Sequence, residues 1–411
     1  QTILSKSNTS TDGYYIYLYD LTGGNVFSRY LNKQNASSQT TDIQQNFIGD
    51  FTLGNLRNRI VAGIDYYNLT SIDNGSGYVY YGSVTPDGGT IEAGYPLTSA
   101  GVDGALAGAS INNQKTKSHV YSAYVSDVIN FTPALSAMAS LRLDFFDEEG
   151  DLTNTDDDFD QFAVSPKFGL MYQPILEKLS VFANYQNGFS NVSPTLVGDP
   201  SAGAQTLKTF SPEQANQLEF GFKTNLLNNR INATVSYYNI QVSDKVMTDP
   251  NNAFNKIQDG EIESKGFEIE LSANPVSGLN IKAGYSNNNS EITKSDSADA
   301  IGQRPLEAGP ESIYNFWANY KFQDGALEGF GLGAGFNGTS ERDILNKGYA
   351  PSGRFVLPSY TIFNASVFYA SKKYSIGLKL NNAFNKEYYN GWSTITPQQA
   401  RTLLANFTYK F

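Results

Sequence analysis

The sequence predicts an all-β fold, and within that class a transmembrane antiparallel β-barrel. Apolar and polar residues alternate along most of the chain, the alternating segments are long, and the connections between them alternate in length. At the C-terminus, one face carries Leu403, Ala405, Phe407, Tyr409 and Phe411. Period-two alternation indicates strands. Segments of about 9–14 residues exceed the roughly 5–6 of globular sheets and are long enough to cross a bilayer.

The connections divide into two kinds. Short turns are predicted at 54–55, 132–133, 228–229, 274–278 and 371–372. Long loops are predicted at 70–116, 147–160, 188–210, 243–260, 292–310, 340–358 and 385–399. Turns at one rim and loops at the other, with aromatic residues near the strand ends, are typical of outer-membrane barrels. A soluble β-protein would also pair aromatic residues across strands, but it would not explain the asymmetry of the loops.

The strand count places the chain within a larger barrel. Counting back from Phe411 gives about 18 strands, and plugged outer-membrane transporters have about 22. We therefore predict that residues 1–411 form one barrel domain of a probable 22-stranded barrel. The first strands and an N-terminal plug are expected to lie outside this chain. Gln1 is not an initiator Met and no leader follows it, so a mature product or a fragment is expected.

Composition excludes several classes of function. The chain has no Cys and one His, so it has no thiolate or multi-His metal site. Proteins that bind nucleic acid need a basic surface, so the formal net charge of −11 argues against a nucleic-acid partner. His119 has no Ser/Asp partner pattern. We expect no enzyme activity, no resident cofactor and no metal site.

Several short segments carry a family resemblance. They are FTLG at 51–54, VAGIDY at 61–66, SPEQANQLEFG at 211–221, GEIESKGFEIE at 260–270, GQRP at 302–305, PSY at 358–360, NNAFNKEY at 381–388 and YKF at 409–411. In this order they resemble the barrel of TonB-dependent siderophore receptors, the ferrichrome-receptor-like group in particular. The chain departs from that group in two respects. It has no counterpart of the plug and the TonB-contacting segment, and its last outer loop lacks the Cys pair of some relatives.

The resemblance implies a function. It implies an outer-membrane receptor and transporter for ferric siderophore uptake in a Gram-negative cell, energised through the TonB complex by way of the missing N-terminal region. The ferric siderophore would be a transported ligand, and outer-membrane lipid would surround the barrel. Two alternatives remain open: a TonB-dependent receptor for another cargo (cobalamin, another metal chelate or an oligosaccharide), or a passive porin. A porin needs an open lumen.

Aromatic and arginine side chains of the long loops are the candidate ligand-binding residues. Aromatic rings give stiff contact area, and Tyr and Trp add a polar group. Arginine suits an anionic chelate. The candidates are Tyr80, Tyr81, Tyr95, Phe189, Arg304, Arg342, Arg354, Tyr389 and Trp392. The resemblance implies that Tyr80, Tyr81 and Trp392 help line the siderophore site. The alternative for any one candidate is that it packs within its own loop.

Alternation also predicts which side chains face lipid and which face the lumen. The predicted lipid-facing residues are Ile231, Val235, Leu378 and Phe407, and the predicted lumenal residues are Thr234, Lys379 and Asn406. Glu268 and Glu270 on one strand and Lys282 on the next are expected in the lumen, as structural pairs or as contacts to a plug. Trp317 on a polar face is expected to pack against a plug.

Overall fold

The computed structural model describes residues 1–19, 26–85, 92–150, 157–198, 205–249, 252–345, 355–391 and 395–411, with backbone alone at 252–254 and 345. Nearly all regular structure is β. The first half contains β1 (Thr2–Tyr19), β2 (Phe27–Leu53), β3 (Leu56–Asp73), β4 (Val79–Val84), α1 (Ser99–Leu106), β5 (Gln114–Asn130), β6 (Leu135–Glu149), β7 (Phe159–Ile175), β8 (Leu179–Ser190), β9 (Thr195–Val197) and β10 (Thr206–Lys208).

The second half continues the same pattern. It contains β11 (Glu213–Leu226), β12 (Ile231–Asp249), β13 (Asn252–Ala273), β14 (Leu279–Lys294), β15 (Ser312–Lys321), β16 (Phe330–Thr339), β17 (Arg342–Leu345), β18 (Phe355–Leu357), β19 (Tyr360–Ala370), β20 (Tyr374–Asn381), β21 (Tyr389–Asn390), β22 (Thr396–Pro397) and β23 (Thr402–Tyr409). Short 3₁₀ helices occupy Leu306–Ala308 and Gly325–Leu327. No helix of the described residues is long and apolar enough to cross a lipid bilayer.

One antiparallel sheet organises the molecule. Among the described residues it contains 17 strands, close to the predicted number. Neighbours follow the order β1, β2, β3, β5, β6, β7, β8, β11, β12, β13, β14, β15, β16, β19, β20 and β23, and β4 pairs with the outer end of β2. The small hairpins β9–β10, β17–β18 and β21–β22 lie in the long connections. The architecture confirms the predicted all-β antiparallel barrel class.

The two kinds of connection also separate in the structure. The tight turns use left-handed residues, with φ of 62° at Gly54, 68° at Asn229 and 86° at Gly278, a conformation that favours Gly and Asn. The long connections carry α1 and the small hairpins. The predicted loop at 243–260 differs, because β12 and β13 continue to Asp249 and from Asn252 as a bulged hairpin. This hairpin extends the barrel wall outward.

The two faces of the sheet follow the predicted alternation. Phe407 is 67% exposed and Leu378 is 42% exposed on the outer, lipid-facing side. Val235 lies between Phe222 and Ile269 of the neighbouring strands on that side. On the lumenal side, one cavity of about 250 Å³ is lined by Thr234, Lys223, Glu219, Glu268 and Glu270.

The N-terminal hairpin rises well beyond the bilayer. β2 contains 27 residues, whereas about 9–11 suffice to cross a membrane. Thr2 pairs with Gln45, and β1 pairs with the rest of β2 up to Ser28. Most of β1 therefore lies beside the extracellular part of β2. This extension positions the candidate site.

Candidate functional site: the outer mouth of the barrel

A chain of tyrosines runs across the extracellular ends of β1, β2 and β4. Ring centroids lie 4.4 Å apart for Tyr15–Tyr17, 6.0 Å for Tyr17–Tyr19, 5.5 Å for Tyr19–Tyr30, 5.7 Å for Tyr30–Tyr80 and 6.0 Å for Tyr80–Tyr95, with Tyr78 at 5.2 Å from Tyr17. We call these seven residues the tyrosine ladder. Several contacts are edge-to-face, an arrangement that aromatic rings prefer.

The register places the strand tyrosines on the lumenal face. Tyr17 pairs with Tyr30, and alternate residues from Tyr30 down β2 lead to Gln44. Gln44 Nε2 donates to Tyr124 Oη at 2.6 Å inside the barrel. Phe47, on the opposite face of β2, is 64% exposed toward lipid. Because side chains alternate strictly along a strand, the ladder faces the mouth of the barrel.

Tyr80 joins Tyr30 to Tyr95 in the ladder. Its hydroxyl donates to a Glu92 carboxylate oxygen at 2.7 Å and lies 2.9 Å from Ser83 Oγ. Its side chain is 37% exposed. Tyr95 packs beside it, and the Tyr95 carbonyl oxygen accepts from Arg29 Nη2 at 3.0 Å. Tyr80 thus has an accessible ring held by polar contacts on its rim.

Tyr81 has a different environment. It is 3% exposed and packs with Leu31 and Val102 of α1 in a buried cluster. Its hydroxyl donates to the Pro96 carbonyl oxygen at 2.7 Å, and the Arg29 guanidinium lies 5.2 Å from its ring centroid. Consecutive strand residues point to opposite faces. Tyr80 therefore faces the mouth of the barrel, and Tyr81 packs α1 against the opposite face of β4.

Arg304 organises the loop between β14 and β15. Its guanidinium donates to the carbonyl oxygens of Gly309 at 2.9 Å and Asn288 at 2.7 Å, and to Asn288 Oδ1 at 2.8 Å. It also donates to the carbonyls of Ala308 and Pro310 at 3.2 and 3.3 Å. Burial lowers the pKa of the Arg304 guanidinium below its ordinary value. Arg304 therefore shapes its own loop.

Arg342 joins that loop to the last one. Its Nη2 donates to Asn390 Oδ1, and to the Gly391 carbonyl oxygen at 2.6 Å. A Cβ built on Gly309 would lie 4.0 Å from Arg342 Nη1. Tyr389 is next to this contact and is 44% exposed. Arg304, Arg342 and Tyr389 thus belong to one cluster formed by three outer loops.

The remaining candidates lie elsewhere. Phe189 packs edge-to-face on Phe146 with centroids 5.5 Å apart. Arg354 and Trp392 lie outside the described residues. Among the described residues, the candidates therefore form one group at Tyr80, Tyr81 and Tyr95, a second at Arg304, Arg342 and Tyr389, and Phe189 alone.

Sequence reasoning missed the strand tyrosines of the ladder, Tyr15, Tyr17, Tyr19 and Tyr30. The predicted ligand-binding residues are those of the long loops, whereas these four lie in strands. The available signal was the run YYIYLY at 14–19, which places three tyrosines on one face by simple alternation. Their proximity to Tyr80 depends on the pairing of β2 with β4, which no local pattern reveals.

The lumenal wall is polar and carries the indole of Trp317. A Cβ on Gly333 or Gly335 would lie 2.6 or 2.7 Å from the Trp317 ring, so these glycines leave room for the indole. Lys379 Nζ lies 5.9 Å from the same ring. Within the part of the chain that the structure describes, no group of three or more His, Cys, Asp or Glu side chains could hold a metal ion.

Comparison with known proteins assigns the fold to a family. The family described as TonB dependent receptor-like, beta-barrel, matches residues 3–383. The chain belongs to this family. Its members are outer-membrane transport receptors of Gram-negative bacteria and are not enzymes, which confirms the expected location. The resemblance inferred from the short motifs is also confirmed.

Curated relatives of this TonB-dependent receptor barrel include proteins named as receptors and transporters. The metal-pseudopaline receptor CntO of Pseudomonas aeruginosa is 24% identical over 396 residues, which cover 90% of this chain and 51% of the relative. The ferrichrome outer membrane transporter/phage receptor of Escherichia coli K12 is 29% identical over 213 residues, covering 49% of this chain and 27% of the relative. The chain therefore spans about half the length of the first of these curated relatives.

Solved structures share the fold. The ferric-catecholate import receptor Fiu of E. coli K12 superimposes with a TM-score of 0.79 at 18% identity, covering 100% of this chain and 61% of that one. BauA, the ferric preacinetobactin receptor of Acinetobacter baumannii, also gives a TM-score of 0.79 at 19% identity, covering 100% and 60%. At these identities the likeness concerns the fold alone.

Proposed function

We propose that this barrel belongs to a receptor that takes up a ferric siderophore across the outer membrane, energised through TonB. The observation that carries the proposal is the tyrosine ladder, which presents aromatic rings on the mouth-facing side of β1, β2 and β4. Curated relatives named as receptors for ferrichrome and ferric pyoverdine support the same class of cargo.

The ladder suits the chemistry of a ferric chelate. A hydroxamate or catecholate complex has flat faces that stack on aromatic rings and oxygen atoms that accept hydrogen bonds. Tyrosine offers both a ring and a hydroxyl. Tyr17 and Tyr30 supply rings on paired strands, and Tyr80 adds a partly exposed ring between them and Tyr95. Rings fixed by neighbouring rings lose little conformational entropy on binding.

The arginines contribute in a different way. The guanidinium groups of Arg304 and Arg342 donate to loop carbonyl oxygens. We assign them to shaping the outer loops, with Tyr389 as the exposed member of their cluster. Arg354 and Trp392 stay in the proposal as candidate ligand contacts from sequence alone. Phe189 and Tyr81 act as supports for the loops beside the mouth.

Transport itself involves partners beyond this chain. We propose that a plug domain fills the lumen, that the TonB complex of the inner membrane acts on it, and that outer-membrane lipid surrounds the barrel. The lumenal charges Glu268, Glu270 and Lys282 and the indole of Trp317 are available to contact such a plug. A polar wall occurs in open and in plugged barrels alike, but a large indole on the lumenal face suits packing against a protein better than an aqueous pore. This favours the receptor over a porin.

A second cargo class has a specific observation in its favour. CntO, which matches 90% of this chain, is named a metal-pseudopaline receptor rather than an iron receptor. A chelate of another transition metal is therefore the second candidate. Cobalamin and oligosaccharides have no such observation behind them.

Uptake of radiolabelled metal chelates tests the function. The full-length receptor should be expressed in a host that lacks its own siderophore receptors, with and without TonB. We expect TonB-dependent accumulation of iron from at least one ferric hydroxamate or ferric catecholate. Accumulation of another metal alone would favour the second candidate. Passage of unrelated small solutes without TonB would contradict both and indicate a porin.

A further inference from the structure

A separate cavity lies at the extracellular ends of β12, β13 and β14. Its volume is about 310 Å³, within the range of about 300–1,000 Å³ typical of small-ligand sites. Buried Ile292 and Ala300 contribute its apolar floor together with Ile262. The segment 295–300 covers one side and is tied to β12 by a hydrogen bond from the Thr248 backbone N to Asp296 Oδ2 at 3.1 Å.

The register indicates which way the cavity faces. Ile262 pairs directly with Ile292, and the pairing of β13 with β14 continues without a shift to Ala273. Alternate residues from Ile262 down β13 lead to Glu268, whose side chain lines the lumen. The floor of the cavity is therefore on the lumenal face, continued above the membrane, and the cavity is on the side of the mouth.

Three lysines and two carboxylates, Glu261 and Asp296, surround this floor. Glu261 accepts hydrogen bonds from Gln241 and Thr293, and Asp296 accepts one from the Thr248 backbone N. The partners of the three lysines differ. Lys294 Nζ lies 3.2 Å from an Asp259 carboxylate oxygen, and Lys245 Nζ lies 3.7 Å from one of Glu213. Lys256 Nζ donates to Thr248 Oγ1 at 2.8 Å. Among the described residues Lys256 has no carboxylate at ion-pair distance. Of the three ammonium groups, Lys256 is thus the one left to receive an anion.

We propose that this cavity, which we call the lysine pocket (Lys245, Lys256, Lys294 and the floor residues Ile262, Ile292 and Ala300), binds a carboxylate-bearing arm of the chelate that the receptor takes up. The proposal rests on the proposed function and narrows it. The transported chelate carries at least one free carboxylate in addition to the groups that hold the metal.

The chemistry of the lining selects this ligand group. An ammonium ion is a compact charge that pairs well with a carboxylate oxygen, and hydrogen bonds between charged groups are stronger than neutral ones. The isoleucine floor accommodates the short hydrocarbon segment that joins such a carboxylate to the rest of the chelate.

Metal-free citrate is a suitable probe, because it offers carboxylates without requiring the true cargo. Its binding to the full-length receptor in detergent micelles would be measured by calorimetry or by ligand-detected NMR. We expect Lys256→Gln to weaken citrate binding by about tenfold or more, the usual effect of losing a charged hydrogen-bond partner. Lys256→Arg should retain most of the affinity, and Lys372→Gln at the opposite rim should retain all of it. Added salt should weaken binding to the wild type more than to Lys256→Gln.

Two results would overturn the proposal. One is citrate binding of equal strength in the wild type and in Lys256→Gln. The other is no binding to the wild type at about 10 mM citrate, the range of very weak ligands. The result is separable from the test of transport. If citrate binding did not depend on Lys256 but TonB-dependent uptake occurred, only the proposal of the lysine pocket would be wrong. A Lys256-dependent citrate site in a protein that transports no metal chelate would show that the pocket binds carboxylates, but it would contradict both the receptor function and the chelate as the ligand of the pocket.

Discussion

At the scale of single residues, the pair Tyr80 and Tyr81 shows how one step along a strand separates two roles. Tyr80 belongs to the ladder at the mouth, and Tyr81 is enclosed by Leu31 and Val102 on the other face of β4. A large buried aromatic side chain stabilises its surroundings by several kcal/mol, because truncation leaves a cavity. The two neighbours should therefore respond differently to mutation.

The first prediction concerns Tyr81. Tyr81→Ala should loosen β4 and α1 at a cost of about 3–5 kcal/mol of local stability, and limited proteolysis should then cut within 74–113 more rapidly than in the wild type. Tyr81→Phe loses only the hydrogen bond to Pro96, worth about 1 kcal/mol, and should be cut far more slowly than Tyr81→Ala. Tyr80→Ala is the matched control. If Tyr80→Ala were cut as rapidly as Tyr81→Ala, the assignment of Tyr81 as the anchor would be wrong.

The second prediction concerns Arg304. Arg304→Lys keeps a positive charge but cannot reproduce five hydrogen bonds, because a lysine has three donors on one nitrogen. The segment 295–311 should become more mobile, and hydrogen exchange of the amides around 306–309 should accelerate by about tenfold, the effect of roughly 1.4 kcal/mol. Arg230→Lys, in a turn at the opposite rim, is the control. Unchanged exchange in Arg304→Lys would show that the loop does not depend on its guanidinium.

Residue-level roles were only partly predictable from the sequence. Strand alternation predicts that Tyr80 and Tyr81 lie on opposite faces. Which of the two faces the mouth depends on how β4 pairs with β2, and this pairing is not visible in the local sequence. The sequence predicts that Arg304 and Arg342 bind an anion, and in the structure their guanidinium groups donate to loop carbonyl oxygens. Composition indicates which residues can bind an anion, whereas the local backbone determines whether their donors remain available.

At the scale of secondary-structure elements, the glycines of β16 explain how a tryptophan fits on the lumenal wall. Gly333 and Gly335 face Trp317 of β15, and Ala334 faces lipid between them. The sequence GFGLGAGF at 329–336 alternates Gly with Phe, Leu and Ala, and this pattern indicates small residues on one face of the strand. It did not reveal that the indole uses the space, since that depends on the pairing of β15 with β16.

The third prediction tests this packing. Gly333→Val should impair folding, because even a Cβ would lie 2.6 Å from both the Trp317 ring and Ser366 Oγ, and overpacking typically costs about 1–3 kcal/mol. Ala334→Val, on the lipid face of the same strand, is the control and should assemble normally. The readout is the fraction of protein with the altered gel mobility of an unheated, folded barrel. Trp317→Ala should partly restore Gly333→Val, and equal assembly of Gly333→Val and Ala334→Val would contradict the packing argument.

The β12–β13 hairpin shows where element prediction failed. The sequence at 243–260 contains Pro250 and Gly260 together with Asn and Asp, which favour loops. The structure instead pairs most of this segment, with register shifts near Lys245 and Thr248. Bulges absorb residues that break strict alternation, so the hairpin continues although the sequence pattern does not. The lysine pocket is built on this extension.

At the scale of the whole molecule, the sheet ends on two strands that each have one neighbour among the described residues, β1 and β23. Alternation back from the C-terminus predicted the lipid-facing set of β23. The strand itself ends at Tyr409, and the Phe411 ring packs edge-to-face on Tyr409 at 5.3 Å. The fold class, the two rims and the two faces were predictable because all three depend on local period and turn chemistry. The clustering of loops at the mouth was not, because it depends on barrel geometry.

The fourth prediction concerns this terminus. Deletion of Phe411 should lower the amount of assembled receptor in the outer membrane several-fold, because the resemblance to the family implies a role for the terminal aromatic residue in assembly. Phe411→Tyr, which keeps the ring, should assemble normally. Membrane fractionation and gel mobility measure the outcome. Normal assembly of the deletion variant would show that the Phe411 ring is not needed for assembly in the outer membrane.

The central claim is that the tyrosine ladder at the mouth binds the ferric chelate, and the affinity of a ladder variant tests it most directly. The measurement is fluorescence or calorimetric titration of the cognate ferric chelate with the full-length receptor carrying Tyr17→Ala, Tyr30→Ala and Tyr80→Ala together, after folding is verified by gel mobility. Truncation of one central aromatic contact typically costs about 2 kcal/mol or more, which is roughly a thirtyfold loss of affinity. We expect at least that loss in the triple variant and none in Tyr237→Ala, which faces lipid. Unchanged affinity in a folded triple variant would contradict the claim.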